Sequence, residues 1–195
     1  DLDMYVAQNN TNKFFRNNGD GTFTEEAGLM GLTGDPMGTT DMDYGDWDND
    51  GDLDIIALKP GGGVQLFDNN RHSDFKNISE QAGLQNSKYT GAALAFGDYN
   101  NDGMLDIVVA GGAGGKCTLL KNTGSKGFVV DPASESLSNS LKGIKVNDVA
   151  FLDFDNDGYQ DLLVAGQNSS GSGRGVRLFH NNGLKGFSDV SYLLP

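Results

Sequence analysis

At 195 residues the chain is long enough to bury a sizeable core, and its formal net charge of −13 argues against nucleic acid or an anionic membrane surface as a partner. Its 29 glycines against 4 prolines point to many tight turns rather than disorder. A lone cysteine, Cys117, excludes an internal disulfide, and no apolar run reaches membrane-spanning length, so no membrane insertion is expected.

Along the chain, Asp1-Leu2-Asp3 comes first and matches the end of a motif that returns in full three times. It is followed by the apolar run Met4–Ala7, the connection Gln8–Asn12, a run ending at Phe15, Asn17 two places on, and a third run at Phe23. The connection Met30–Thr40 then leads to Tyr44-Gly45 and the first full loop, Asp46-Trp47-Asp48-Asn49-Asp50-Gly51-Asp52-Leu53-Asp54. The same succession recurs as Ile55–Leu58, Lys59–Gly63, Phe67, Asn69, Phe75 and Gln85–Tyr89. Gly91–Gly97 introduces the second loop, Asp98 to Asp106, with Asn100, Asp102, Gly103 and Met104 inside it. Ile107–Ala110, Gly111–Lys116, Leu120, Asn122, Phe128 and Leu137–Lys145 carry the pattern on to Val146–Leu152. The third loop runs from Asp153 to Asp161 through Asp155, Asp157, Gly158 and Tyr159. After it come Leu162–Ala165, Gln167–Gly175, Phe179, Asn181 and Phe187.

The aspartates closing the loops, Asp3, Asp54, Asp106 and Asp161, are 51, 52 and 55 residues apart. Four short runs per unit, bounded by glycine and asparagine and lacking helical periodicity, predict an all-β chain of β-propeller blades, each with four antiparallel strands. With the strands named A to D, each acidic loop is the A–B hairpin. The expected blade units are about 1–36, lacking strand A, then 37–90, 91–144 and 145–195. That phase suggests one propeller segment of a larger, about seven-bladed ring, whose remainder is then a partner; an open or oligomer-closed array is the alternative.

Each full loop places oxygen side chains at positions 1, 3, 5 and 9, with glycine at position 6 for the sharp turn. Carboxylates crowded this closely on a short backbone repel one another unless a cation or water separates them, and calcium takes six to eight oxygens. The side-chain ligands are Asp46, Asp48, Asp50 and Asp54; Asp98, Asn100, Asp102 and Asp106; and Asp153, Asp155, Asp157 and Asp161. Backbone carbonyls of Asp52, Met104 and Tyr159 supply position 7, and water completes each shell. Three calcium ions would bring the net charge to about −7. Asn100 removes one charge and should weaken the second site. An EF-hand is excluded, because position 12 is Ala57, Val109 or Val164 rather than glutamate.

Phe96-Gly97-Asp98 and Tyr44-Gly45-Asp46, each leading into an acidic loop, resemble FG-GAP/VCBS repeats, the blades of integrin alpha-chain propellers and many bacterial secreted proteins. Phe15-Arg-Asn-Asn-Gly-Asp-Gly-Thr-Phe23 with Ala27-Gly-Leu29 is similar to repeats of ASPIC/UnbV-type proteins. The resemblance implies a calcium-stabilised propeller, secreted to the cell surface, extracellular space or periplasm, that binds a protein or glycan for adhesion. Its partner face would carry the B–C and D–A connections, opposite the metal loops. Leu152 stands where that pattern has glycine, so a different approach to the third loop is expected.

Nothing in the sequence assembles an active site. His72 and His180 read as surface residues near C–D turns without a nucleophile motif, and the aspartates are committed to closed metal loops. The chain is therefore expected to be non-catalytic; the alternatives are a non-catalytic part of a polysaccharide-acting enzyme such as a lyase, or a structural scaffold. Arg174 reads as a residue of a flexible surface loop that could also meet an acidic partner.

Overall fold

The computed structural model describes residues 2–70, 74–85, 87–112, 114–170 and 175–194; Asp1, His72 and Arg174 lie outside them. The chain forms four successive antiparallel sheets. The first contains β1 (Met4–Val6), β2 (Lys13–Asn17) and β3 (Phe23–Glu25). The second contains β4 (Asp41–Gly45), β5 (Asp54–Leu58), β6 (Val64–Asn69) and β7 (Phe75–Asn77). The third contains β8 (Gly91–Gly97), β9 (Asp106–Gly112), β10 (Lys116–Asn122) and β11 (Phe128–Val130), and the fourth β12 (Ile144–Leu152), β13 (Asp161–Asn168), β14 (Arg177–Asn181) and β15 (Phe187–Asp189). Strands are adjacent in sequence order within every sheet, the meander of a propeller blade.

The second strand of each full blade is apolar on both faces because both faces are covered. Every residue of β5 is buried, and Ile107–Ala110 of β9 are fully enclosed. Three cores lie between successive sheets. Phe14, Leu32, Ala57 and Phe67 fill the first; Ile56, Leu66, Leu94, Ile107 and Phe128 the second; and Val108, Leu119, Val146, Leu162 and Phe179 the third. Burying each of the larger side chains stabilises the fold by about 1.5–3 kcal/mol, so blade-to-blade packing is the main source of stability.

Close packing explains the glycine before the second loop. A Cβ at Gly97 would collide with the Phe151 ring of the next blade and with the Gln160 side chain. Leu152 replaces that glycine without disturbing the approach to the third loop: it pairs with Asp161 as Gly45 pairs with Asp54 and Gly97 with Asp106.

Two expectations are corrected. Part of the Leu137–Lys145 connection is not a loop, since α1 (Ser134–Ser140) occupies its beginning and β12 its end. The helix sits against β10, burying Leu137, while its serines satisfy the strand's free edge: Ser134 and Ser138 Oγ accept the Leu119 and Cys117 amides at 2.9 Å. Ser79 and Ser191 take the Leu66 and Leu178 amides in the neighbouring blades, at 2.9 and 3.0 Å. Asn12, assigned to an exposed partner-face loop, is instead buried. Its amide donates to the Tyr5 hydroxyl at 2.6 Å and to Thr39 Oγ1 at 2.8 Å, tying the first blade to the start of the second.

Candidate metal centres

All three full loops fold alike. The position 1 carboxylate accepts the amides of positions 5 and 6: Asp46 from Asp50 and Gly51 at 3.1 and 3.0 Å, Asp98 from Asp102 and Gly103 at 3.0 and 2.9 Å, Asp153 from Asp157 and Gly158 at 3.2 and 3.1 Å. Position 5 accepts the amide of position 7: Asp50 from Asp52 at 3.0 Å, Asp102 from Met104 at 3.1 Å, Asp157 from Tyr159 at 2.8 Å. These bonds curl each hairpin tip so that its carboxylates converge. Ligand atoms of Asp46, Asp48 and Asp50 lie within 4.8 Å of one another, as do those of Asp153, Asp155 and Asp161. Two unit charges 4 Å apart repel by about 4 kcal/mol at an effective dielectric of 20, so such a cluster favours a cation.

Position 9 anchors the loop to the blade. Asp54, Asp106 and Asp161 are 1%, 0% and 0% exposed, and each accepts the amide of the third-strand asparagine, Asn69, Asn122 or Asn181, at 2.8, 2.7 and 2.7 Å. Asp3 accepts from Asn17 in the same way at 2.8 Å. Burial, more than the nearby Asp48 and Asp68 charges, pushes the Asp54 carboxyl up to about 7; burial, with Asp102 and Asp98, does the same to Asp106, also to about 7. Burial, with Asp50 and Asp68 close by, also raises Asp48. Without a cation Asp54 and Asp106 hold protons well above the ordinary carboxylate range, and a hard divalent ion fits the converging oxygens that these loops present.

The second loop differs as its sequence suggests. In the first and third loops the other oxygen of position 9 takes the amide of position 2, Trp47 or Phe154, at 3.0 Å. In the second, Asn100 Nδ2 donates to Asp106 Oδ2 at 2.7 Å, and Lys121 Nζ lies 3.3 Å from Asp102. Two internal donors thus meet carboxylates that a metal would use.

Sequence reasoning overlooked position 4. Asn49, Asn101 and Asn156 adopt φ of 61°, 56° and 60°, the left-handed conformation that asparagine tolerates. Asn49 Nδ2 donates to the Gly103 carbonyl and Asn101 Nδ2 to the Gly158 carbonyl, both at 2.8 Å, so each loop grips the next. Two further ties cross the same boundary. Asn122 and Asn181 donate to the carbonyls of Trp47 and Tyr99 in the preceding loops at 2.9 and 2.6 Å. The aromatic rings at position 2 meet the following blade, Trp47 on Phe128 and Tyr99 on Phe187, with centroids 6.0 Å apart. The identity of position 4 in all three copies was a readable signal, although the bond partner was not.

His180, expected near a surface turn, lies on β14 with its imidazole against the third loop. Its Nε2 is 3.1 Å from Asp155 Oδ2 and 3.3 Å from Asp157 Oδ2. Partial burial works against its charge, but Asp155 and Asp157 prevail and hold its pKa above the ordinary value. Cys117 is buried in the core, where desolvation pushes its thiol up to about 12 and makes it unreactive.

Residues 1–57, 46–109 and 98–164 match the FG-GAP-like repeat, and the chain belongs to that family. Over 131 residues it is 29% identical to integrin alpha-3 of Cricetulus griseus, covering 62% of this chain and 12% of that protein. It is 28% identical over 146 residues to integrin alpha-3 of Mus musculus, covering 66% and 14%. The chain thus spans a small part of the length of these relatives. Among solved structures it is similar to an Agrocybe aegerita lectin described as recognising non-reducing terminal N-acetylglucosamine. The TM-score is 0.57 at 19% identity, with 96% of this chain and 51% of that one covered, a likeness of fold.

Proposed function

We propose that the chain is a calcium-binding, non-catalytic recognition module that works outside the cell as part of a larger propeller. Its blade units would be residues 1–36, 37–90, 91–144 and 145–195. Three cations seated at the hairpin tips neutralise the aspartates and stiffen one end of the disc. The opposite end, built from the B–C and D–A connections, is left to hold a protein or carbohydrate ligand. The observation that carries this reading is the loop-to-loop chain from Asn49 to Gly103 and from Asn101 to Gly158, which links each cation seat to the next blade. Ions placed there brace blade interfaces. Their ligands are carboxylates engaged by backbone amides, an arrangement suited to saturating a cation rather than leaving a position open for substrate. Exposed Leu29 and Met37 flank or lie in the Met30–Thr40 connection, offering apolar contact on the ligand end.

A site with a dissociation constant near 10⁻⁴ M contributes about 1.4 kcal/mol in millimolar calcium. Chelation should therefore lower the melting temperature, and calcium should restore it better than magnesium; an unchanged melting curve would contradict the assignment. A glycan array probed with and without calcium, followed by a product assay on each hit, tests the recognition role. Release of cleaved sugar would favour a part of a polysaccharide-acting enzyme instead.

A further inference from the structure

The three loops share one backbone form, but a different side chain overhangs each of them. That side chain comes from the residue just before the third-strand asparagine: Asp68 before Asn69, Lys121 before Asn122, His180 before Asn181. Asp68 accepts the Trp47 indole N–H at 3.1 Å beside the first loop, and Lys121 pairs with Asp102 of the second. His180 brings a nitrogen ligand to the third. Its Nε2 and carboxylate oxygens of Asp155 and Asp157 lie within 4.8 Å of one another, and Asp155 also belongs to the oxygen cluster with Asp153 and Asp161.

The ring is held in a metal-ready form. Asn182 Nδ2 donates to the carbonyls of His180 and Gly186 and to Ser188 Oγ at 3.1, 3.0 and 2.9 Å, which fixes the direction of its amide. Asn182 Oδ1 then faces His180 Nδ1 at 3.2 Å and requires a proton on that nitrogen. Nε2, which faces the two carboxylates, is then the nitrogen on which a metal would take the place of a proton. A polar partner that fixes the far nitrogen of an imidazole is the usual support of a ligating histidine. The edge of the ring also packs on Phe154, with centroids 5.8 Å apart at 81°.

Oxygen-only donor sets suit calcium, whereas imidazole with carboxylates suits zinc and its neighbours, which calcium loops without nitrogen discriminate against. Resting on the reading that these loops hold cations, we propose that His180, Asp155 and Asp157 make the third loop a seat for a borderline transition ion, zinc in particular. Zinc competes there with calcium, because Asp155 and Asp157 also belong to the oxygen set of the calcium seat. The first two loops remain oxygen sites.

The test is calorimetric titration of zinc chloride into the calcium-saturated chain, with cobalt(II) absorption reporting a nitrogen ligand. The wild type should exchange one calcium of three for zinc. His180→Asn should weaken zinc binding about tenfold or more while still binding three calcium ions. His72→Asn, removing the chain's other histidine, should change neither value. Zinc binding unaltered by His180→Asn, or none in a wild type that binds three calcium ions, would overturn the proposal. Zinc bound through His180 by a chain that binds no calcium would support it and overturn the calcium reading; neither metal bound would overturn both. A folding defect in His180→Asn would show in its melting curve, and His180→Gln then serves in its place.

Discussion

The aspartate at position 9 does two jobs that the sequence shows only in part. Its place in the repeat marks it as a candidate ligand, but its near-complete burial and its bond to an asparagine some 15 residues on are set by the third strand. Removing one acceptor should be measurable without metal. Asp161→Asn turns Oδ2, which takes the Phe154 amide at 3.0 Å, into a potential donor, so with chelator present it should cost about 1–3 kcal/mol in a denaturant titration. pH acts through the same residues. In the metal-free chain Asp54 and Asp106 sit near 7, above the roughly 3.9 of an unfolded aspartate. A raised folded value contributes stability that is full below the unfolded pKa and is lost as pH rises through the folded one. The chelated protein should thus lose melting temperature between about pH 4 and 7, a loss that calcium reverses by replacing the proton. A flat profile with chelator would contradict the burial argument. His180 shows the limit of reading residues singly: a histidine without a motif becomes informative only once folding lays it over Asp155 and Asp157.

Among the elements, the second strand of each blade was the most legible, because Ile55–Leu58, Ile107–Ala110 and Leu162–Ala165 are apolar runs without a polar interruption, each directly after the closing aspartate of its loop. The helix α1 was not legible. Ser-Glu-Ser-Leu-Ser-Asn-Ser shows one large apolar residue, and its serines are spent on the free edge of β10 rather than on a helical apolar face. The hairpin tips lie between these extremes: their metal geometry is written locally, whereas the grip of one tip on the next crosses more than 50 residues. That grip can be isolated with Asn101→Gly. Glycine accepts the left-handed conformation at φ 56°, so the substitution removes mainly the bond to Gly158. We expect a loss of about 0.5–1.5 kcal/mol and weaker calcium binding at the third loop as well as the second. An effect confined to the second loop would mean that the tips act independently.

Across the whole molecule, stability comes from three cores between thin sheets, and none of those sheets could bury both faces alone. The repeat period and the alignment of the loops made this architecture readable, because each blade restates it. The coupling of the acidic loops to blade interfaces was not readable, since Asn122, Asn181, Trp47 and Tyr99 gain their roles only from the blade beside them. The central claim is that divalent ions, rather than protons or water, join the carboxylates at the hairpin tips and so lock successive blades. The most direct measurement is anomalous diffraction from a crystal grown in calcium. The account predicts three calcium peaks, each about 2.3–2.6 Å from the oxygens at positions 1, 3, 5, 7 and 9 of its loop, with the second the least occupied. Water alone among Asp46, Asp48, Asp50 and Asp54 would contradict it.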